Sequence, residues 1–337
     1  MAVVAAPHWH SRRRRGAASE FCIALGLVNN MPDAALERTE RQFFNLLDAA
    51  ARDLLVRVSF FSLPGIPRGE PGHDHLARNA YRSTHELANA ELDAVIVTGT
   101  EPRLPDLRLE PYWIELARLF DWIAEDGPSA VFSCLAAHAA VLHYDGVVRR
   151  RLSEKRAGVY DHVVAGHDYF TEKLAPPIGV AHSRWNEVGE SELAATGYRI
   201  LTWAPEAGVD LFVKRKRNDL LFCQGHPEYD PATLGREYHR DVRRFLVGES
   251  ENWPALPAHY FTPGETAQLH AFRIRAEAER REALIAEYPA IRRRPDAAWQ
   301  APAAPVFRAW LGQIVETKRR RRTRPRPAPA PALAKAS

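Results

Sequence analysis

Cysteine is scarce in this 337-residue chain, and the three that occur, Cys22, Cys134 and Cys223, are odd in number, far apart and never in a CxxC pair. That argues against a disulfide framework or a cysteine-based zinc site and points to a reducing, cytoplasmic location. No apolar run approaches the roughly 18 residues of a membrane helix, so the chain is not expected to span a bilayer. Phe21–Val28 is too short for a span and lacks a small-residue cleavage pattern after it, so no secretory signal is expected despite the basic Ser11–Arg15 before it. Neither GxxxxGK(S/T) nor GxGxxG occurs, which leaves no warrant for a phosphate loop or a dinucleotide fold. The close pairs His8/His10 and His73/His75 lack a third ligand at useful spacing, and His143 and His162 stand alone, so no metal site is expected. There is no internal repeat.

The chain does hold enough apolar material for a sizeable core, with 46% hydrophobic and 26% charged residues, 8 Trp, 10 Tyr and 14 Phe. Its formal charge of +4 misleads. Arg12–Arg15 supply four positives and residues 318–337 supply eight, with no acids in either segment, so removing these twelve leaves −8 for residues 16–317. The ends read as solvated basic tails, the second polyproline-like from Pro325 to Ala332. Contact with nucleic acid is the competing use of such tails and is not the one expected. The expected organisation is a disordered basic tail at 1–19, one α/β domain at 20–315 and a disordered Arg/Pro/Ala-rich tail at 316–337.

Within that domain, short β-branched runs alternate with longer helical patterns. Strands are expected at Cys22–Val28, Val56–Leu63, Asp93–Thr98, Ser129–Ser133 and Leu220–Cys223, and helices at Ala34–Ala51, Tyr112–Ile123 and Leu135–Leu142. A charged helical stretch is expected from Asn252 to Pro289. Alternation of this kind predicts a mainly parallel sheet with helices on both faces, whose chemistry gathers at the carboxyl ends of the strands.

Two features fall at such ends. Cys134 lies where the Ser129–Ser133 strand turns into the Leu135 helix, so its thiolate would feel free backbone N–H groups and the positive helix end. A lone cysteine there is as readily a small buried hydrophobe. Gly225-His226-Pro227-Glu228-Tyr229-Asp230 follows the last strand, and His226 and Glu228, two apart in extended chain, project to one side. A carboxylate beside an imidazole fixes its tautomer and stabilises its protonated form. Alone, the pair reads as a histidine at a proline turn; with Cys134 it makes a Cys-His-Glu triad.

Taken together these segments resemble the homoserine O-acyltransferases of the succinyltransferase type. The resemblance rests on Asn29-Asn30-Met31-Pro32, Thr39-Glu40-Arg41-Gln42-Phe43, Val97-Thr98-Gly99, Tyr112-Trp113, Ser133-Cys134, Lys155–Val159 followed by Tyr160, His182-Ser183-Arg184-Trp185, Gly225–Asp230 and Glu237-Tyr238-His239-Arg240-Asp241. It spans about residues 20 to 290. It implies a flavodoxin-like, class I glutamine-amidotransferase-like α/β fold and a homodimer. It further implies a ping-pong acyl transfer from an acyl-CoA co-substrate to L-homoserine in methionine biosynthesis, with no permanently bound cofactor. By resemblance Cys134 is the nucleophile, His226 the base and Glu228 its orienting partner. Lys155, Ser183 and Arg240 are substrate-binding, Arg240 as the carboxylate fork. The backbone N–H groups of Leu135 and of Asn30 are the expected oxyanion donors.

Three departures from the family pattern stand out. The nucleophile is followed by Leu135-Ala136-Ala137-His138 where the family has Trp, a small residue, any residue and Gln. Two extra residues separate Met31-Pro32 from Thr39. Thr100-Glu101-Pro102-Arg103 replaces the family's Ala-Pro and its acyl-specifying Gly or Glu. Arg103, with Ser183, is thereby the expected reader of the acyl group, and its charge suits a succinyl carboxylate. Succinyl-CoA is the expected donor, acetyl-CoA the alternative. Serine as acceptor, a glutaminase-like hydrolase on the same triad and a non-catalytic binding protein using the basic tails are the other readings.

Overall fold

The computed structural model describes residues 3–5, 22–125, 127–291 and 302–323. Its centre is a sheet built from β1 (Val3–Ala5), β2 (Cys22–Val28), β3 (Leu55–Ser62), β4 (Arg82–Ser83), β5 (Ala94–Val97) and β6 (Ser129–Ser133). After the second sheet described below, β9 (Arg199–Ile200), β12 (Leu211–Arg215) and β13 (Asp219–Cys223) complete it. The spatial order is β1-β3-β2-β5-β6-β13-β12-β9, with β4 added beside β3. All pairs are parallel except β12 with β13 and β9. Taking the five central strands in chain order, β2, β3, β5, β6 and β13 lie as 2-1-3-4-5, the flavodoxin-like winding expected from the sequence.

The period-2 burial of these strands explains the layering. Ile23, Leu25, Leu27, Val56, Val58, Ile96 and Val131 face a core shared with α1 (Leu36–Ala51) and α8 (Ala303–Thr323). Val28, Val95, Val97, Ala130 and Phe132 face the opposite core, shared with α3 (Trp113–Glu125) and α4 (Leu135–Asp145). Continuous apolar runs are what a strand covered on both sides requires.

A second, antiparallel sheet in the order β11-β10-β7-β8 was not foreseen. It comprises β7 (Arg150–Val164), β8 (Ile178–Glu187), β10 (Thr202–Ala204) and β11 (Gly208–Val209). The short helices α2 (Glu70–Arg78) and α5 (Glu190–Ala195) complete the first two-thirds of the chain, and α6 (Thr233–Leu246) and α7 (Pro263–Glu279) follow β13.

Three expectations are corrected. The Asn252–Pro289 stretch is not one helix: α7 begins only at Pro263, where Thr262 and Glu265 form a reciprocal cap. Order does not end at 316, because α8 runs on through Thr323 and Lys318 Nζ is anchored on Cys22 O at 2.7 Å and Asp93 Oδ2 at 2.5 Å. Within the expected N-terminal tail, Val3–Ala5 pairs in register with Val56–Val58; residues 6–19 of that tail and 324–337 of the other lie outside the described residues. Cys223 is buried in the core, whereas Cys22 is only half-buried. Among the described residues no helix is long and apolar enough to cross a membrane.

Candidate active site

The carboxyl ends of β2, β5, β6 and β13 converge on one edge of the sheet, and each delivers part of the site. β6 ends at Ser133, and Cys134 then adopts φ 52°, ψ −112° before α4 begins. That backbone is strained for a residue with a Cβ, and it lifts the thiol out of the sheet edge. Cys134 N–H donates to Cys223 O at 2.8 Å, which ties the turn to the end of β13. Leu135 N–H belongs to the first turn of α4 and, unlike Ala137 N–H, which donates to Cys134 O at 3.0 Å, is left free by the helix as a donor.

From β13 the chain passes through Gln224 and Gly225 to His226. Gly225 is required there: a Cβ would meet Val180 Cγ1 at 2.7 Å and Ala181 O at 2.8 Å. His226 N–H donates to Ala181 O at 2.8 Å, which fixes the ring between the two sheets. His226 Nδ1 lies 2.8 Å from Glu228 Oε1, and Cys134 lies within electrostatic reach of the ring. Both His226 and Glu228 are 7% exposed. Burial opposes a charged ring, but Glu228 and Cys134 outweigh it, so His226 titrates well above the usual histidine range. The structure thus places Cys134 near the bonded His226–Glu228 pair at the strand ends.

Around His226 stands a second set, in which the expected substrate-binding Lys155, Ser183 and Arg240 meet Tyr229, Glu237 and Asp241, which sequence reasoning quoted without assigning. Tyr229 stacks on His226 at 4.0 Å between ring centroids and donates to Glu237 Oε1 at 2.8 Å. Ser183 Oγ donates to the other oxygen of Glu237 at 2.6 Å, which brings the expected substrate-binding Ser183 to the site. Lys155 Nζ pairs with Asp241 Oδ2 at 2.8 Å, while Arg240 grips Asp241 Oδ1 through Nε at 2.9 Å and Nη2 at 2.8 Å. These two cations hold the Asp241 carboxyl below its ordinary range despite burial. Glu237, Arg240 and Asp241 share one face of α6 at i, i+3 and i+4, a spacing visible in the sequence that could have signalled the cluster.

Two expected residues are placed otherwise. Asn30 N–H donates to Thr98 Oγ1 at 2.8 Å and its Oδ1 accepts from Leu63 N, so its amide is spent on joining the β2 and β5 loops rather than facing the thiol. The backbone that does crowd the elbow is that of Gly99, where a Cβ would lie 3.1 Å from Leu135 N. Arg103 is exposed, and its backbone N–H, with that of Leu104, donates to Glu110 Oε1 at 2.6 Å. Two other arginines, Arg149 and Arg184, lie within electrostatic reach of Cys134. Among the described residues no group of three or more His, Cys, Asp or Glu side chains is arranged to hold a metal.

A profile of the homoserine O-succinyltransferase family matches residues 11–320. The chain belongs to the homoserine O-succinyltransferase family. It is 45% identical over 304 residues to a homoserine O-succinyltransferase of Rhodopseudomonas palustris, covering 90% of this chain and 91% of that protein. It is also 45% identical over 295 residues to a homoserine O-succinyltransferase of Methylorubrum extorquens, covering 87% of each. Among solved structures, a glutamine amidotransferase from Thermotoga maritima aligns over 87% of this chain and 98% of its own, at 11% identity and a TM-score of 0.48. The expected departure from the homoserine O-succinyltransferase pattern behind the nucleophile now has a structural account. His138, standing where that pattern has Gln, is 2% exposed and bonds Gln224 Oε1 at 2.9 Å. Gln224 in turn donates to Val209 O at 2.7 Å and Val188 O at 3.2 Å. Burial lowers the His138 pKa to about 3, so the ring is neutral and serves packing, not proton transfer.

Proposed function

We propose that this protein transfers a succinyl group from succinyl-CoA to the hydroxyl of L-homoserine, in methionine biosynthesis, through a thioester on Cys134. The observation that carries the reading is the buried His226–Glu228 pair within electrostatic reach of Cys134 at the strand ends of a homoserine O-succinyltransferase family member. In the first half-reaction the Cys134 thiolate attacks the thioester carbonyl carbon of succinyl-CoA. The oxyanion that forms is held by Leu135 N–H, with the Gly99 backbone closing the other side. Collapse breaks the bond to the CoA sulfur, and protonated His226 gives its proton to that leaving thiolate. In the second half the neutral imidazole takes the homoserine hydroxyl proton, the alkoxide attacks the acyl-cysteine, and Cys134 departs as thiolate. Arg240 and Lys155 suit the amino acid's carboxylate, exchanging some of their hold on Asp241 for it. Ser183 and Glu237 suit its ammonium end.

Intact-protein mass after brief exposure to succinyl-CoA without amino acid tests the reading. One succinyl adduct is expected, discharged on adding homoserine. An acetyl adduct from acetyl-CoA and none from succinyl-CoA would overturn the donor, and release of succinate to water at the same rate without homoserine would favour a hydrolase.

The pH profile tests the role of Glu228. His226 stays protonated at neutral pH because the Glu228 carboxylate outweighs burial, so its protonated form is lost only as pH rises through a raised folded pKa. Glu228→Gln removes that carboxylate and lowers the folded pKa. The alkaline limb of kcat/KM is therefore expected to move to lower pH; a limb that stays in place would mean the two groups are not coupled.

A further inference from the structure

Two buried polar atoms near the start of α4 have no protein partner, on Arg149 and on Tyr112, and Tyr112 packs in the same buried cluster as Leu135 and Ala136. Arg149 lies just before β7, within electrostatic reach of Cys134. Its Nη2 donates to Leu104 O at 3.3 Å and Pro105 O at 3.1 Å, both long bonds to a mostly exposed loop. Its Nε is sealed from solvent without a partner. The hydroxyl of Tyr112, a residue only 2% exposed, is likewise sealed and unpartnered. Tyr112 and Arg149 feel each other electrostatically, so the two unsatisfied groups belong to one place. The neighbouring acid, Glu110, has Oε1 occupied by the Arg103 and Leu104 amides.

Buried donors left unmade are costly, and a buried guanidinium more so than a neutral group. The chemistry that would satisfy both is a small acceptor with two anionic oxygens: a guanidinium edge and a phenol O–H converge on a carboxylate. Arg103, the residue that the resemblance singles out, is exposed; its contribution is to the backbone turn whose carbonyls hold Arg149.

We propose that Arg149, with the Tyr112 hydroxyl, binds the distal carboxylate of the acyl group and thereby selects a dicarboxylic acyl donor over an uncharged one. The inference rests on the acyl-cysteine reading above and adds to it the residues that read the acyl chain. Entry of the acyl arm displaces the Leu104 and Pro105 carbonyls from Arg149, so the loop over the site is held by its own selectivity residue until substrate arrives.

The test compares thioester formation from succinyl-CoA with that from butyryl-CoA, which has the same chain length and no distal carboxylate. Arg149→Met keeps the aliphatic stem, and Tyr112→Phe removes one oxygen from an otherwise unchanged ring. Wild type is expected to favour succinyl-CoA. The preference is expected to fall by about 100-fold in Arg149→Met and about 10-fold in Tyr112→Phe, with butyryl transfer little changed, as loss of charge-assisted and neutral hydrogen bonds respectively dictates. Equal losses with both donors, or an unaltered preference in both variants, would overturn the assignment. A wild type that acylates equally well from both donors would also overturn it while leaving the cysteine mechanism intact, whereas a wild type acylated by neither would overturn the underlying reading itself.

Discussion

Cys134→Ala is expected to abolish the acyl adduct and to lower turnover by about 10⁴-fold or more, because no other group at the site can form the thioester. The variant should remain folded. Alanine meets the same strained backbone at φ 52° as cysteine does, the thiol is only half-buried, and the Cys134 N–H bond to Cys223 O involves the main chain. The measurement is intact mass after succinyl-CoA, with far-ultraviolet circular dichroism to confirm the fold. A succinyl group that still attaches to the Ala variant would place the nucleophile elsewhere. Cys22 and Cys223 are poor substitutes: Cys22 opens β2 at the opposite edge of the sheet, and burial pushes the Cys223 thiol well above its ordinary pKa.

Trp310→Ala carries the second large effect, this time on stability. Trp310 is fully buried, its ring meets Phe307 edge-on at 5.8 Å, and its indole N–H donates to Ser129 Oγ at 2.8 Å. Ser129 Oγ passes the chain of bonds on to Asp219 O at 2.9 Å, so α8 is joined to the starts of both β6 and β13. Losing the ring removes a large apolar surface and leaves a cavity, at a cost of about 3–5 kcal/mol. Urea denaturation is expected to show a lower midpoint with an unchanged slope. A loss below about 1 kcal/mol would mean that α8 is not part of the cooperative core.

These two residues mark the limits of what local pattern reveals. Cys134 was legible because two short-range signals coincide on it: an apolar run that must be a buried strand, and an alanine-rich run that must be a helix. His226 and Glu228 were legible for the same reason, being a short polar motif directly after a run that can only be core. The five central strands were found to within a residue or two, since each is covered on both faces and its apolar content is continuous. The hairpin of β7 and β8 was missed. Arg150-Arg151-Leu152-Ser153-Glu154-Lys155-Arg156 shows no alternation, and its extended form is held by cross-strand pairing with residues some 30 positions later, including a register shift between Arg151 and Arg156. The end of α8, from residue 316 on, was read as tail because its basic residues outweigh its apolar ones, and nothing nearby in sequence discloses that Asp93 receives Lys318.

The sequence by itself determined a mainly parallel sheet covered on both faces, the place of Cys134 at a strand-to-helix turn, and the place of His226 and Glu228 just past a core strand, while the flavodoxin-like winding and the proposed roles came from the resemblance. Each of those placements depends on hydrophobic periodicity or on residues within a few positions of one another. Only the tertiary structure decided that the Asn30 amide is diverted to Thr98, by a contact 68 residues away, and that the Gly99 backbone packs against Leu135. It alone decided that Glu237 links Ser183 to the ring stacked on His226, and that Arg149 and Tyr112 carry buried polar atoms without a partner. Such assignments turn on which partners a buried polar group finds, and those partners arrive from distant parts of the chain only once the sheets have closed on each other.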